Sequence, residues 1–317
     1  APEAPRVAAL DAALARGEPA PAADTAAPSA NVAQMTISPA HDRETQALAG
    51  AGLQASSEAE LLARHDVLCL RAANPGPLTL SGTNTWLLGS DPAWIVDPGP
   101  PLDEHLRQLR SAIEARGGLG GVVLTHDHHD HCAAVPALLK DHPAPLAGGR
   151  GEVDVLLGEG VRFGPFEAVA TPGHAADHFA LIANGVCFTG DAVLGEGSVF
   201  ISPHRGAMSG YLLALERLRL RADVKLLCPG HGPIVRDAQA KLREYIAHRA
   251  ERESRLMIAL SEGRRTTDEL LEAVWPEVSE PLRPLAAVTL AAHLDKLEDE
   301  QRLPAGVQRA TFEGTEW

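Results

Sequence analysis

"LTHDHHDHC", residues 124–132, closes the apolar run "GVVL" (121–124) with four histidines and two aspartates. A solvated polar loop would ask for no partners elsewhere in the chain, whereas a metal centre would. The skeleton is His126-x-His128-x-Asp130-His131, placed where a strand ends. Residues two apart near a strand end project to the same side, and the turn that follows re-aims Asp130 and His131. Four donors on one short loop cannot close two tetrahedral sites, so further donors are required. The chain supplies them in one recurring context: "ATPGH" brings His174, "FTGD" brings Asp191 and "LCPGH" brings His231. Each is a β-rich run, a glycine that permits a tight turn, then a ligand-type residue.

Mixed imidazole and carboxylate donors suit two borderline ions, two Zn2+ by default, with iron or manganese as alternatives. The expected division is His126, His128 and His174 on one ion and Asp130, His131 and His231 on the other, with Asp191 bridging. Coordination positions then stay open for water, which marks a catalytic site. A water shared by two such ions yields hydroxide near neutral pH, able to attack a carbonyl carbon or a phosphorus. Asp130 is the expected catalytic residue, orienting the nucleophile and later moving a proton.

The H-x-H-x-D-H motif, followed by lone His, Asp and His after glycine turns, resembles the metallo-β-lactamase superfamily. That resemblance implies a four-layer αββα sandwich with a dinuclear site at one sheet edge. "NPGPLTLSGTNTWLLG", "IVDPG", "TPGHAADH", "GDAVLGEGS" and "PGHGPIV", with a winged-helix-like tail, are similar to the β-lactamase-like protein 2 group over roughly residues 66–317. In the commonest zinc β-lactamases a cysteine stands where this chain has Asp191, so antibiotic hydrolysis is not the expected role. The resemblance also implies that Asp97 hydrogen-bonds the metal-binding loop. His178 and His204 are candidates for the cleft, and Arg205 is the nearest candidate for an anionic substrate group. His129 and Asp127 occupy variable positions of the motif and are expected to face solvent. Cys132 adjoins the cluster but reads as a small apolar residue, and His65, His105, His142, His248 and His293 have no companion motif.

The chain has 317 residues and a formal charge of −14, with no basic segment. Duplex DNA and an anionic membrane surface are therefore not expected partners. A small-molecule ester, thioester or lactone is the expected substrate, with single-strand-specific RNA cleavage, which the subgroup resemblance implies, as the alternative. Whether the chain is monomeric or a homodimer stays open. Cys69, Cys132, Cys187 and Cys228 form no C-x-x-C pair, which points to a reducing cytoplasm. Neither a secretory signal nor a transit peptide is expected, and the Arg-rich, Lys-poor usage points to a GC-rich bacterial genome.

Residues 1–54 read as an Ala/Pro-rich extension, flexible or loosely docked, and "ASSEAELLARH" as a short helix. From 55 to 238, seven β-rich runs ending in Gly or Pro turns alternate with helical stretches such as "LDEHLRQLRSAIEARG" and "YLLALERLRL". That alternation predicts a layered α/β catalytic domain. Residues 239–317 read as three helices and a hairpin, "AGVQRATFEGTEW", hence a small winged-helix-like domain that braces its neighbour or meets a protein.

Overall fold

Strands whose apolar residues run unbroken must be covered on both faces, and β2 (Asn84–Leu88), buried at all five positions, shows how. Its Trp86 and Leu88 join a core between two sheets, while Leu87 joins a second core beneath helices. The computed structural model describes residues 58–310, and it repeats this alternation in both sheets. The first sheet has the order β1-β2-β3-β4-β5-β6, with β1 at Val67–Arg71, β3 at Ala93–Val96, β4 at Leu119–Val123, β5 at Leu146–Gly148 and β6 at Val155–Leu156. The second has the order β11-β10-β9-β8-β7, with β7 at Arg162–Phe163, β8 at Phe166–Ala170, β9 at Phe179–Ala183, β10 at Val186–Gly190 and β11 at Leu226–Pro229. In β9, Phe179, Leu181 and Ala183 point into the inter-sheet core, and Ala180 and Ile182 point the other way.

Helices close the outer faces. On the first sheet lie α1 (Asp103–Ala115) and, after the short turn α2 (His129–Cys132), α3 (Val135–Asp141). Their Leu109, Ile113 and Leu138 pack with Leu87, Ile95 and Val122. On the second sheet, α4 (Ala207–Leu220) and the first half of α5 (Ala238–Ser261) supply Tyr211, Leu215, Leu242 and Tyr245. The result is four layers, helix–sheet–sheet–helix, as the resemblance implied.

Helix α5 is continuous over 24 residues. Its start is capped by the Asp237 carboxylate, which accepts from the Ala240 backbone N–H. Its second half leaves the sandwich and brings Leu256, Ala259 and Leu260 to another apolar core. There it meets α6 (Thr267–Val274), which opens with a Thr266/Glu269 capping box, and α7 (Arg283–Asp299).

Two features depart from expectation. Strands β1, β5, β6 and β7 carry no sequence pattern that marked them, because three of them are only two or three residues long and live on their neighbours' hydrogen bonds. The expected C-terminal hairpin is absent from residues 305–310, and its remaining part lies outside the described residues, as does the 1–54 extension. Among the described residues, no helix is long and apolar enough to cross a membrane.

Candidate metal centre

Four strand ends meet at one edge of the sandwich. The turn after β4 carries His126, His128, Asp130 and His131, the loop after β8 carries His174, β10 is followed by Asp191, and β11 leads to His231. Close approach is permitted where side chains are missing. A Cβ at Gly230 would lie 2.4 Å from Asp191 Oδ1 and 2.6 Å from His131 Cε1. Gly190 sits at φ +46, in the left-handed region, and turns the chain so that Asp191 faces the other loops.

All seven expected donors come together. His128 Nδ1 is 3.0 Å from both His126 Nε2 and His174 Nε2. His231 Nε2 lies 3.3 Å from His131 Nε2 and 3.3 Å from Asp130 Oδ2. Asp191 stands between the two groups, with Oδ1 3.5 Å from His131 Nε2 and Oδ2 3.6 Å from His174 Nε2 and 3.3 Å from His231 Nε2. Within each of the triplets His126–His128–His174, His126–His131–Asp191 and Asp130–His131–His231, the donor atoms lie within 4.8 Å of one another.

The outer hydrogen bonds determine what faces inward. His174 Nδ1 meets the Phe200 carbonyl and His231 Nδ1 the Gly82 carbonyl, both at 3.4 Å. A carbonyl only accepts, so both rings hold their proton on Nδ1 and turn a bare Nε2 inward. His131 Nδ1 donates to Asp97 Oδ2 at 2.9 Å, with the same consequence. His126 Nδ1 meets Thr125 Oγ1 at 3.0 Å, and that hydroxyl already donates to Asp97 Oδ2, so His126 is the donor. In the neutral rings lone pairs thus converge with two carboxylates, and buried Asp191 Oδ1 has no hydrogen-bond partner among the described residues. Such a donor set repels itself unless a cation sits inside, and its imidazole and carboxylate chemistry fits borderline divalent metal ions.

Protonation preferences show the same demand. Burial, then the neighbouring rings, drives His126 well below the ordinary imidazole value, and burial takes His174 down to about 4. Burial acts the same way on His231, yet the Asp191 and Asp130 carboxylates outweigh it and raise that ring to about 9. His131 is raised too, by Asp191 and Asp97 against its burial. The carboxylates call for positive charge at the centre, and a metal ion meets that call without a proton.

Asp97 is buried and braces the metal-binding turn: it accepts from the Thr125 backbone N–H at 2.8 Å, from Thr125 Oγ1 at 2.7 Å and from His131 Nδ1. His178 is also buried and lines no cleft. Its Nε2 accepts from the Asp191 backbone N–H at 3.1 Å, its ring stacks 4.9 Å from His126, and its role is to place Asp191. The structure places His204 and Arg205 outside the residues that line the cleft. His204 lies in the turn that starts α4, away from the cleft lining, and Arg205 is 86% exposed and paired with Asp299 on α7. The loop turns Arg205 to solvent, while His204 stays half-buried against the turn, outside the residues that line the cleft. His129 is exposed, Asp127 pairs with Arg150, and the Cys132 thiol donates to the Asp127 carbonyl.

The buried run "TNT" (83–85) belongs to the stretch that carries the resemblance, but the sequence assigned its three residues no role at the site. Thr83 Oγ1 donates to Asp130 Oδ2 at 3.2 Å and is itself held by Asn74. Asn84 Nδ2 donates to the Pro229 and Gly232 carbonyls, clamping the His231 loop, and Thr85 Oγ1 donates to the Asp97 carbonyl. The available signal was three polar residues heading an otherwise apolar strand, which is tolerated only when every polar group has a partner.

From the centre a cleft of about 560 Å³ runs toward the C-terminal helices. Its walls are largely apolar: Pro77, Leu78 and Leu80 on one side, Val199 and Phe200 on another, Trp275, Leu285 and Ala286 at the far end. Helix α5 adds His248, Arg249 and Arg252, which sequence reading had passed over.

Comparison with known proteins agrees with this architecture. The metallo-beta-lactamase superfamily matches residues 78–168 and 151–231, and the beta-lactamase associated winged helix domain matches residues 266–304. The chain is 31% identical to lactamase-like protein aptB of Emericella nidulans, over 75% of this chain and 82% of that one. It is 30% identical to the beta-lactamase-like protein 2 homolog of Drosophila melanogaster, over 75% of this chain and 89% of that one. A beta-lactamase domain protein from Burkholderia ambifaria shares the fold, with a TM-score of 0.65 at 23% identity over 76% of this chain and 90% of that one. With its His–Asp cluster at the sandwich edge and three helices beyond it, this chain belongs to the metallo-β-lactamase superfamily of metal-dependent hydrolases, with a β-lactamase-associated winged helix domain at its C-terminal end.

Proposed function

We propose that this protein hydrolyses small esters, thioesters or lactones with a substantial apolar part, using two zinc ions. The observation that carries this reading is the cleft: it opens on Asp130, Asp191 and His231 and continues along apolar walls, with Glu196 and Glu277 among its polar residues. An apolar acyl group gains by leaving water there, about 25 cal/mol for each Å² buried. A phosphodiester strand would meet mostly hydrocarbon and the Glu196 and Glu277 carboxylates, with Arg249 and Arg252 as the cleft's two arginines.

His126, His128 and His174 would hold one ion, Asp130, His131 and His231 the other, and Asp191 would touch both. Bound there, the pair would supply Lewis acidity toward a carbonyl oxygen and a water of lowered pKa. The chain's own residues supply the rest. Asp130 is the more accessible carboxylate, 30% exposed against 10% for Asp191, and Thr83 fixes its Oδ2. Asp130 Oδ2 is therefore the atom that orients a nucleophilic water, takes its proton and returns it to the leaving group. Phe200 and Val199 exclude bulk water from the site's flank. The free cysteines Cys69, Cys132, Cys187 and Cys228 support a reducing compartment such as the cytoplasm.

The test is zinc-loaded protein against a panel of acyl thioesters, aryl esters and lactones, with single-stranded RNA alongside and Asp130→Ala as control. Thioester or ester turnover that Asp130→Ala abolishes supports the proposal. RNA cleavage abolished by the same change, without ester turnover, overturns it in favour of an endoribonuclease.

A further inference from the structure

Helix α5 turns one face inward along its length, through Leu242, Tyr245, Arg249, Arg252 and Leu256 to Ala259. These positions are spaced three and four apart, the pattern of a buried apolar stripe. Two arginines interrupt it, where the helix passes from the sandwich core to the winged-helix core. Both line the cleft.

Arg252 is satisfied within the protein. It pairs with Glu277, donates to the Val274 carbonyl and lies 5.8 Å over the Trp275 ring. Its Nε donates to His248 Nε2 at 3.1 Å, so His248 accepts with a neutral ring and adds no charge.

Arg249 differs. Its side chain is 2% exposed, yet its partners are the Ser198 hydroxyl, the Val199 carbonyl and, 5.6 Å away, the face of Tyr211. Among the described residues no carboxylate pairs with it, and its Nε has no hydrogen-bond partner. A buried guanidinium without a counter-ion is costly, and it persists where a ligand supplies the anion.

Resting on the reading of the cleft as a substrate site, we infer that Arg249 forms a carboxylate-binding subsite at its distal end. The substrate is then an apolar acyl ester or thioester bearing one carboxylate remote from the scissile bond. A monoanion matches the charge: Glu277 is spent on Arg252, His248 is neutral, and one guanidinium remains. The planar carboxylate also suits guanidinium geometry. A polyanion would leave surplus charge against Glu196, Glu277 and apolar walls.

The experiment titrates the purified full-length protein calorimetrically with octanoate and with octanamide, which differ in charge and hardly in shape. Octanoate is expected to bind about tenfold more tightly, a charge-assisted contact. Arg249→Met removes the preference and Arg249→Lys keeps part of it. Glu277 is 53% exposed, so Glu277→Gln tests the idea without disturbing a core. Releasing Arg252 from its ion pair should strengthen octanoate severalfold, which places the carboxylate at this end of the cleft. If circular dichroism shows Arg249→Met unfolded, Arg249→Lys decides the matter, a preference as large as in the unaltered protein overturning the subsite. Equal binding of the two ligands to the unaltered protein overturns the subsite. So does a preference unchanged in Arg249→Met and Glu277→Gln, which would place the carboxylate among the histidines. Tight binding of a single-stranded oligonucleotide that Arg249→Met weakens would assign the site to phosphate and overturn it too.

Hydrolysis separates this inference from the reading beneath it. A suberyl half-thioester should exceed octanoyl thioester in kcat/KM, through KM, and Arg249→Met should erase that ratio. An octanoate preference without turnover of any ester or thioester would leave the subsite and remove the hydrolase; turnover indifferent to the carboxylate would do the reverse.

Discussion

The two ends of the cleft pose opposite electrostatic problems. At the sheet edge, imidazole nitrogens and two carboxylates converge in an arrangement that calls for a cation. At the far end, a guanidinium is buried in an apolar helix face and lacks an anion. The first end is made of strand-end loops braced by Asp97, Thr83, Asn84 and His178, so its donors are fixed before anything binds. The second is made of one helix running between two cores, so its position depends on both. The contrast teaches that one fold meets the two demands in different parts, a cation-seeking cluster on the sandwich and an anion-seeking guanidinium on the helical addition.

The largest effect should come from the sheet edge. For the proposed two-zinc centre, Asp191→Ala removes the carboxylate placed between the two groups, and turnover should fall on the order of a thousandfold, with about half the zinc lost. Elemental analysis beside the assay checks this, and full zinc content in the variant would show that Asp191 bridges nothing. Asp97→Asn should be milder. It keeps the shape but weakens the bonds that orient Thr125 and His131, and zinc affinity should drop about 10- to 100-fold in a competitive chelator titration. An unchanged affinity would mean that backbone contacts alone hold the turn.

The far end should show itself in acid. His293 on α7 is buried, both ring nitrogens without a hydrogen-bond partner among the described residues, and burial, then the charges of Arg249, Lys296 and Arg252, bring it down to about 3. Its folded value is depressed, so the unfolded chain takes up the proton first. The stabilising contribution is whole above about pH 6.5 and is lost as pH falls toward 3, at no more than about 1.4 kcal/mol per pH unit. Thermal unfolding across that range should be flatter in His293→Leu, and parallel curves would exclude this residue as the cause. The smallest effect belongs to the Thr266/Glu269 capping box: Thr266→Ala should cost about 1 kcal/mol by denaturant titration while zinc content stays constant. A loss of zinc there would join the two ends more closely than the packing does.

The same contrast governs what could be read in advance. The seven donors were legible because each sits at a strand end after a glycine or in one dense motif, features local in the chain. The sandwich strands were legible because long apolar runs leave few other arrangements, whereas β5, β6 and β7 were too short to signal themselves. Arg205 was chosen for being near Asp191 in sequence and proved exposed, while Arg249, 58 positions from Asp191 in the numbering of the chain, lines the cleft. The α5 pattern that marks Arg249 was present but gains meaning only once its inward face is known.

Sequence by itself determined the donor types, their glycine-flanked context and the strand alternation, because covalent spacing and local backbone geometry act over a few residues. Tertiary structure alone decided which nitrogens face inward, that His178 places Asp191 instead of reaching substrate, and that a helix arginine closes the cleft. Those depend on hydrogen bonds and burial between segments far apart in the chain, which form only when both sheets and both helical layers have packed.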